Sequence, residues 1–211
     1  MRGFFGLPQV YPITDTRISG LSHAEQVKLL ADGGATVIQL RDKHASPLEF
    51  YDEAKAALEV ANERGVILII NDRADIALAL GAAGVHLGQD DLPPEAARRL
   101  LGEDAIIGYS THSLTQIQAA AKLPIDYFAI GPVFPTSTKE NPDPVVGLDG
   151  VKLAREAIGD MLLVGIGGIT PANAVEVIQA GADAVALINS LLSESATIPK
   201  TIQSLIKSLR P

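Results

Sequence analysis

Two carboxylates stand where two successive strands are expected to end. The β-branched run Val66–Ile70 stops at Asn71-Asp72, and a second brief apolar run stops at Gln89-Asp90-Asp91. Parallel α/β proteins gather their chemistry at the C-terminal ends of strands, which would bring Asp72 and Asp91 together. In a chain without cysteine, such oxygen donors suit a hard cation rather than zinc. The competing reading makes each acid a helix cap, Asp72 for the helix that follows and Asp91 for the one after Pro93-Pro94. Two acids at successive strand ends, beside Asn71 and Gln89, favour a functional site.

Positive charge is expected at the same end. Alternation along the second strand puts Val37, Gln39, Arg41 and Lys43 on one face, with Ile38 and Leu40 on the other. A guanidinium fork beside an ammonium suits a diphosphate, the Arg binding through two N–H groups and the Lys as a point charge. Further on, Thr136-Ser137-Thr138-Lys139 lies in an irregular segment running from Gly131 to Gly147. Loops of that length in compact domains are usually functional lids or disordered, and three hydroxyls followed by an ammonium resemble a phosphate clamp, although the run is also ordinary loop composition. Gly165-Ile166-Gly167-Gly168 and Asn189-Ser190 follow the last two strands. Backbone N–H groups at those two loops frequently bind phosphate in barrels, although glycine also serves a tight turn. The mouth would then accept two anionic groups, one at the late glycines and one near Arg41, Lys43 and a cation.

Ser110 and His112 follow the fifth strand, but no Gly-x-Ser-x-Gly nucleophile elbow occurs. His86 falls inside a strand and reads as a packed, hydrogen-bonded residue. His23 and His44 sit in surface-like contexts. None of the four histidines supports acyl transfer.

The elements that must position these residues follow a strict rhythm of strand, loop and helix. Expected strands are Val10–Thr14, Thr36–Leu40, Val66–Ile70, the run before Gln89, Ala105–Gly108, Asp126–Ile130, Met161–Val164 and Ala184–Leu187. Ser22 with Glu25 forms a capping box opening the first helix, and Ser46-Pro47 opens a long second one. Pro93–Leu101, Ser113–Ala121, Pro171–Ala180 and the tail to Leu209 supply later helices. Glycines at 34, 84 and 181 stand between helix and strand, where a left-handed cap is expected. Eight alternations closing on themselves predict a single-domain α/β fold, a (β/α)8 TIM barrel spanning residues 1–211. An open doubly wound sheet competes less well, because no Gly-x-Gly-x-x-Gly follows the first strand.

Composition agrees. Apolar residues make up 47% of the 211 and aromatics only 4%, so the core is built from Ala, Val, Leu and Ile, the mixture that packs helices on buried parallel strands. A formal charge of −8 argues against nucleic acid or an anionic membrane as partner. The lack of cysteine removes disulfides, thiolate catalysis and iron–sulfur clusters, and fits a reducing compartment. The first eight residues lack the apolar core of a signal peptide, and no run approaches a membrane span. A soluble cytoplasmic protein is expected, with oligomeric state left open and a homo-oligomer admitted.

Six segments in order resemble those of the thiamine-phosphate synthase family: Tyr11-Pro12-Ile13-Thr14-Asp15, Gln39-Leu40-Arg41-Asp42-Lys43, Asn71-Asp72-Arg73, His86-Leu87-Gly88-Gln89-Asp90-Asp91, Gly131 to Lys139, and Gly167-Gly168-Ile169. The resemblance implies a Mg²⁺-dependent alkyl transfer. Hydroxymethylpyrimidine diphosphate loses pyrophosphate, and the nitrogen of a thiazole phosphate attacks the exposed methylene, through a dissociative pyrimidine cation. It further implies that Gln39 and Asn71 contact the pyrimidine and diphosphate region, and that Arg41, Lys43 and Lys139 hold the diphosphate. Asp72 and Asp91 become the Mg²⁺ ligands and Ser110 a neighbour of the leaving group. Ser110, Lys139 and Arg41 are thus the expected catalytic residues. Thr136 and Thr138 match lid positions on the thiazole-phosphate side, and Gly168 with Ile188-Asn189 matches its phosphate cradle. The family commonly has Ser where Asn189 stands and Ala where Gly165 stands, which bears on affinity for the thiazole phosphate.

Other readings remain. A thiazole tautomerase of the same superfamily would need neither diphosphate nor metal, and some of that branch carry a histidine where this chain has Pro132. A non-catalytic regulator should have lost some of its mouth charges, and the set here is complete. A sugar-phosphate isomerase would share the glycine cradle but has no use for Arg41 and Lys43 beside two acids.

Overall fold

Eight strands, all parallel to their neighbours, run in the order β1-β8-β7-β6-β5-β4-β3-β2 in a computed structural model describing residues 6–136 and 143–209. They are β1 (Val10–Pro12), β2 (Val37–Leu40), β3 (Ile67–Asn71), β4 (Gly84–Leu87), β5 (Ile106–Thr111), β6 (Tyr127–Ile130), β7 (Leu162–Ile166) and β8 (Ala184–Leu187). The ends of this order meet: Ile13 bridges Gln39, and Thr14 N donates to Gln39 O at 2.9 Å, closing the sheet between β1 and β2. The fold is the expected single (β/α)8 barrel.

Between the strands lie α1 (Thr16–Ser19), α2 (His23–Asp32), α3 (Pro47–Arg64), α4 (Ala74–Leu80), α5 (Pro94–Leu101), α6 (Leu114–Ala120), α7 (Gly147–Ile158), α8 (Ala174–Gln179), α9 (Asn189–Leu192) and α10 (Ile198–Leu209). Ser22 and Ser46 both form the reciprocal capping boxes with Glu25 and Glu49, and Pro47 takes the first turn of α3. Two short helices, α1 and α9, lie outside the expected pattern. Each has four residues, too few to print a helical period on the sequence.

Alternation divides the strands between two cores. One side chain in two packs outward beneath the helices, as Ile38, Leu40, Leu68, Ile70, Val85, Leu87 and Phe128 do. The others fill the barrel axis with Tyr11, Ile13, Val37, Ile69, Tyr127, Ala129, Val164, Ala184 and Ala186. The small residues of β6 to β8 leave the axis room for two tyrosine rings. Gly84 departs from expectation. It is the first residue of β4, its φ is not positive, and a Cβ there would lie 1.9 Å from Ile106 O. Close strand contact requires that glycine, and Gly81 supplies the left-handed cap of α4 instead.

β5 also runs further than expected. Its pairing with β6 continues through Ser110↔Ala129 and Thr111↔Ile130, so Ser110 belongs to the strand and its side chain is fixed by the barrel. Among the described residues no helix is long and apolar enough to cross a membrane.

Candidate active site

A cavity of ≈ 900 Å³ opens at the C-terminal ends of the strands. Its wall brings together Gln39, Arg41, Lys43, Asn71, Asp72, Asp91, Ser110, Thr136, Gly168, Ile188 and Asn189, the set expected from the sequence. Thr138 and Lys139 lie outside the described residues.

The acidic side of the mouth is built from two turns. Asp72 follows β3 in a left-handed conformation, φ 62°, which Asp tolerates better than most side chains. Its N–H donates to His86 O at 2.8 Å, and Arg73 N donates to Asn71 O at 2.7 Å, so the turn holds the carboxylate against the neighbouring strand. Neither acid is a cap. Arg73 is the N-cap of α4 and Pro93 that of α5, with no side-chain cap bond at either. Asp91 instead accepts from Gly88 N at 2.6 Å. The Asp72 carboxyl is pushed up to about 6, chiefly by burial; its bond from Lys43 pulls the other way, and Asp91 adds to the rise. Two adjoining acids with one ammonium at their edge make a site short of positive charge. The amide nitrogen Asn71 Nδ2 is buried beside them without a hydrogen-bond partner. Among the described residues no group of three or more acids and histidines is placed to hold a metal ion. Two carboxylates nevertheless suit Mg²⁺, which commonly takes one or two from protein and completes its shell with water and substrate phosphate oxygens.

The basic side is partly committed. Arg41 Nη1 pairs with Asp15 Oδ2 at 3.0 Å, and Asp15 also caps α1 by accepting from Arg17 N. The sequence shows Asp15 as the end of the first family-like segment and does not disclose this role. The remaining guanidinium donors stay available to an anion.

Opposite, Gly167 (φ 96°) and Gly168 (φ 65°) accept the segment after β6. A Cβ on Gly167 would lie 2.5 Å from Pro132 Cβ, and one on Gly168 2.5 Å from Pro135 O. Phe134 N donates to Gly167 O at 3.0 Å. These glycines therefore dock a loop as well as lining the cavity. Ser190 Oγ donates to Ile169 O at 3.0 Å, tying α9 to the same loop. Gly165 lies elsewhere. A Cβ there would meet Val177 at 2.4 Å, in the layer between barrel and helices, so of the two departures only Asn189 faces the cavity.

Histidines divide sharply. His86 is buried, with Nδ1 2.9 Å from Tyr127 Oη and Nε2 2.8 Å from Ser110 Oγ, and burial pushes it down to about 4. His23, expected near the surface, is fully buried, 2.8 Å from Thr14 Oγ1. Burial lowers it, against the pull of Asp42 and Glu53. Tertiary packing of α2 on the β1 end hides it, which no local pattern reveals.

A closed parallel barrel whose mouth pairs acids, cations and a glycine-lined wall is a phosphate-handling enzyme of the (β/α)8 class. The family model described as thiamine monophosphate synthase matches residues 10–191. A thiamine-phosphate synthase from Koribacter versatilis is 47% identical over 193 residues, covering 88% of this chain and 90% of that protein. One from Chloroflexus aurantiacus is 41% identical over 186 residues, covering 88% and 85%. The solved structure of a thiamine phosphate pyrophosphorylase from Pyrococcus furiosus superposes with TM-score 0.85 at 33% identity, covering 96% of this chain and 97% of the other. The chain belongs to the thiamine monophosphate synthase family.

Proposed function

We propose that the protein is a thiamine-phosphate synthase acting on hydroxymethylpyrimidine diphosphate and a thiazole phosphate. The observation that carries the reading is one cavity with two anion sites: Arg41 and Lys43 beside Asp72 and Asp91 on one side, Gly168 and Asn189 on the other. In the reaction the bond between the pyrimidine methylene carbon and the diphosphate oxygen breaks, its electron pair leaving with pyrophosphate. A new bond forms from the thiazole nitrogen to that carbon. The chain's task is to stabilise the departing charge and to hold the two fragments in line.

Arg41 and Lys43 meet the diphosphate oxygens, and Ser110 lies where it can donate to the same group. Asn71 Nδ2, buried without a partner, and Gln39 face the space for the pyrimidine. Ile188 and Asn189, with Gly168, line the side proposed for the thiazole phosphate, and Thr136 stands at the loop edge between them. Thr138 and Lys139 complete the loop and diphosphate contacts in this reading. Asp72 and Asp91 would hold Mg²⁺, which when bound supplies positive charge to the diphosphate. The proposed mechanism asks for no protein nucleophile. A cytoplasmic place of action is part of the reading and fits a chain without cysteine.

The test is formation of thiamine phosphate and pyrophosphate from the two purified substrates, with and without Mg²⁺, for wild type and Asp72→Ala. Metal-dependent product that disappears in the variant is expected. Metal-independent thiazole isomerisation with no transfer product would overturn the reading in favour of the tautomerase.

A further inference from the structure

A chain of hydrogen bonds crosses the otherwise apolar barrel axis and ends at the mouth. Gln39 Nε2 donates to Tyr11 Oη at 3.2 Å, Tyr11 Oη lies 2.9 Å from Tyr127 Oη, Tyr127 Oη lies 2.9 Å from His86 Nδ1, and His86 Nε2 lies 2.8 Å from Ser110 Oγ. Its members come from β2, β1, β6, β4 and β5. Buried polar groups among Ala129, Val164, Ala184 and Ala186 are costly unless each is satisfied.

The chain has a direction. An amide nitrogen only donates, and a phenol has one proton to give. Tyr11, having accepted from Gln39, gives its proton to Tyr127. Tyr127 gives its own to His86 Nδ1, and the neutral ring then carries hydrogen on Nε2 and donates to Ser110. Ser110 Oγ already accepts from inside the barrel, so its proton is turned toward the cavity.

We propose that Tyr127 and His86 are positioning residues that fix the Ser110 hydroxyl as a donor to the departing diphosphate. The proposal rests on the synthase reading for its ligand. Its geometry is built into the backbone as well: a Cβ on Gly108 would lie 2.4 Å from Tyr127 Oη and 2.5 Å from His86 Nδ1. Glycine at 108 keeps open the space in which that bond forms. The rings are also held by packing, His86 stacked on Tyr127 at 27° and Tyr11 edge-on to it at 82°. Burial pushes Tyr11 up to about 12 and Tyr127 well above the ordinary tyrosine value, so both remain phenols with a proton to pass.

The opposite direction turns the Gln39 amide over, puts hydrogen on His86 Nδ1 and points the Ser110 proton inward. ¹⁵N-detected imidazole spectra of the ligand-free protein at neutral pH separate the two. The expected result is a single Nε2–H tautomer at His86 that becomes a mixture in Tyr127→Phe. Kinetically, Tyr127→Phe should lower kcat about threefold to tenfold, the worth of one net hydrogen bond, with KM little changed. Ser110→Ala should lower kcat about a hundredfold, and adding Tyr127→Phe to it should cost nothing more. An Nδ1–H tautomer in wild type overturns the proposal, as does a Tyr127→Phe effect that persists in full on the Ser110→Ala background. The tautomer is read without substrate, so failure of the synthase reading would leave that arm decisive.

Discussion

At the N-terminal ends of the strands Arg98 reaches beneath the barrel from α5 to five groups: the carbonyls of Gly102, Glu103, Ala105 and Pro124, and the Asp126 carboxylate at 2.7 Å. Asp126 accepts from Ile107 N as well. Arg155 repeats the arrangement from α7, on the carbonyls of Gly159, Met161 and Gly181 and on Asp183, which accepts from Leu163 N. At the other end, Asp72 is held up near 6 beside a second acid. Among the described residues two buried side-chain nitrogens lack a hydrogen-bond partner: Asn71 Nδ2, which belongs to the mouth, and His23 Nε2, which faces Asp42 Oδ2 at 3.7 Å. Lower-rim charge is fully paired within the fold, whereas the mouth, though partly paired through Arg41 with Asp15 and Lys43 with Asp72, keeps guanidinium donors and a raised carboxyl for something not part of the chain. Charged residues in one barrel thus read differently according to whether their donors and acceptors are filled.

That contrast is open to attack. Arg98→Met should strike stability hardest, costing about 3–5 kcal/mol because Asp126 and four carbonyls lose the guanidinium, with kcat of the folded fraction unchanged; urea unfolding and assay of the same sample would show it. Asp72→Asn should do the reverse. Activity is expected to fall at least about a hundredfold, while the melting temperature at neutral pH holds or rises. The sign follows because a carboxyl raised in the fold to about 6 favours its protonated form, so its ionisation above that pH works against folding. A stability loss in Asp72→Asn matching that in Arg98→Met would end the distinction.

A smaller effect separates wall from mouth. Gly165→Ala should cost about 1–3 kcal/mol by crowding Val177 without moving KM for the thiazole phosphate, whereas Asn189→Ser should move KM and leave the melting temperature alone. The smallest effect concerns pH. His23 is depressed in the fold, so the unfolded chain binds its proton more readily and stability should decline as pH falls below about 6.5. His23→Gln is expected to flatten that decline in chemical denaturation at pH 7 and pH 5.

Features set by near neighbours along the chain are legible in the sequence. The box at Ser22 needs a partner three residues away, the start at Ser46-Pro47 only the next residue, and the alternation along Val37, Gln39 and Arg41 only a strand. Asp72 and Asp91 stand out because the ends of their strands do. The relay through Tyr11 and Tyr127 leaves no such sign, since those hydroxyls are 116 residues apart and each aromatic alone reads as core. His23 reads as a surface residue for the same reason, its environment being supplied by Thr14 and Asp42 across a loop. Gly165 reads as part of the phosphate cradle because a glycine shows no direction until its strand register is known.

The repeated lower-rim clamps carry a consequence for how the chain folds. Each joins residues 28 apart, Arg98 to Asp126 and Arg155 to Asp183, so each can form within one short stretch of chain. The seam pairing Val10 with Val185 must gather nearly the whole polypeptide, and loop-closure entropy opposes it accordingly. Damage to a clamp is therefore expected to slow refolding, and damage to the seam mainly to hasten unfolding, as paired stopped-flow measurements on Asp183→Asn and Val185→Ala would reveal. On this expectation the barrel's circular symmetry hides a sequence of events in which the ring closes last.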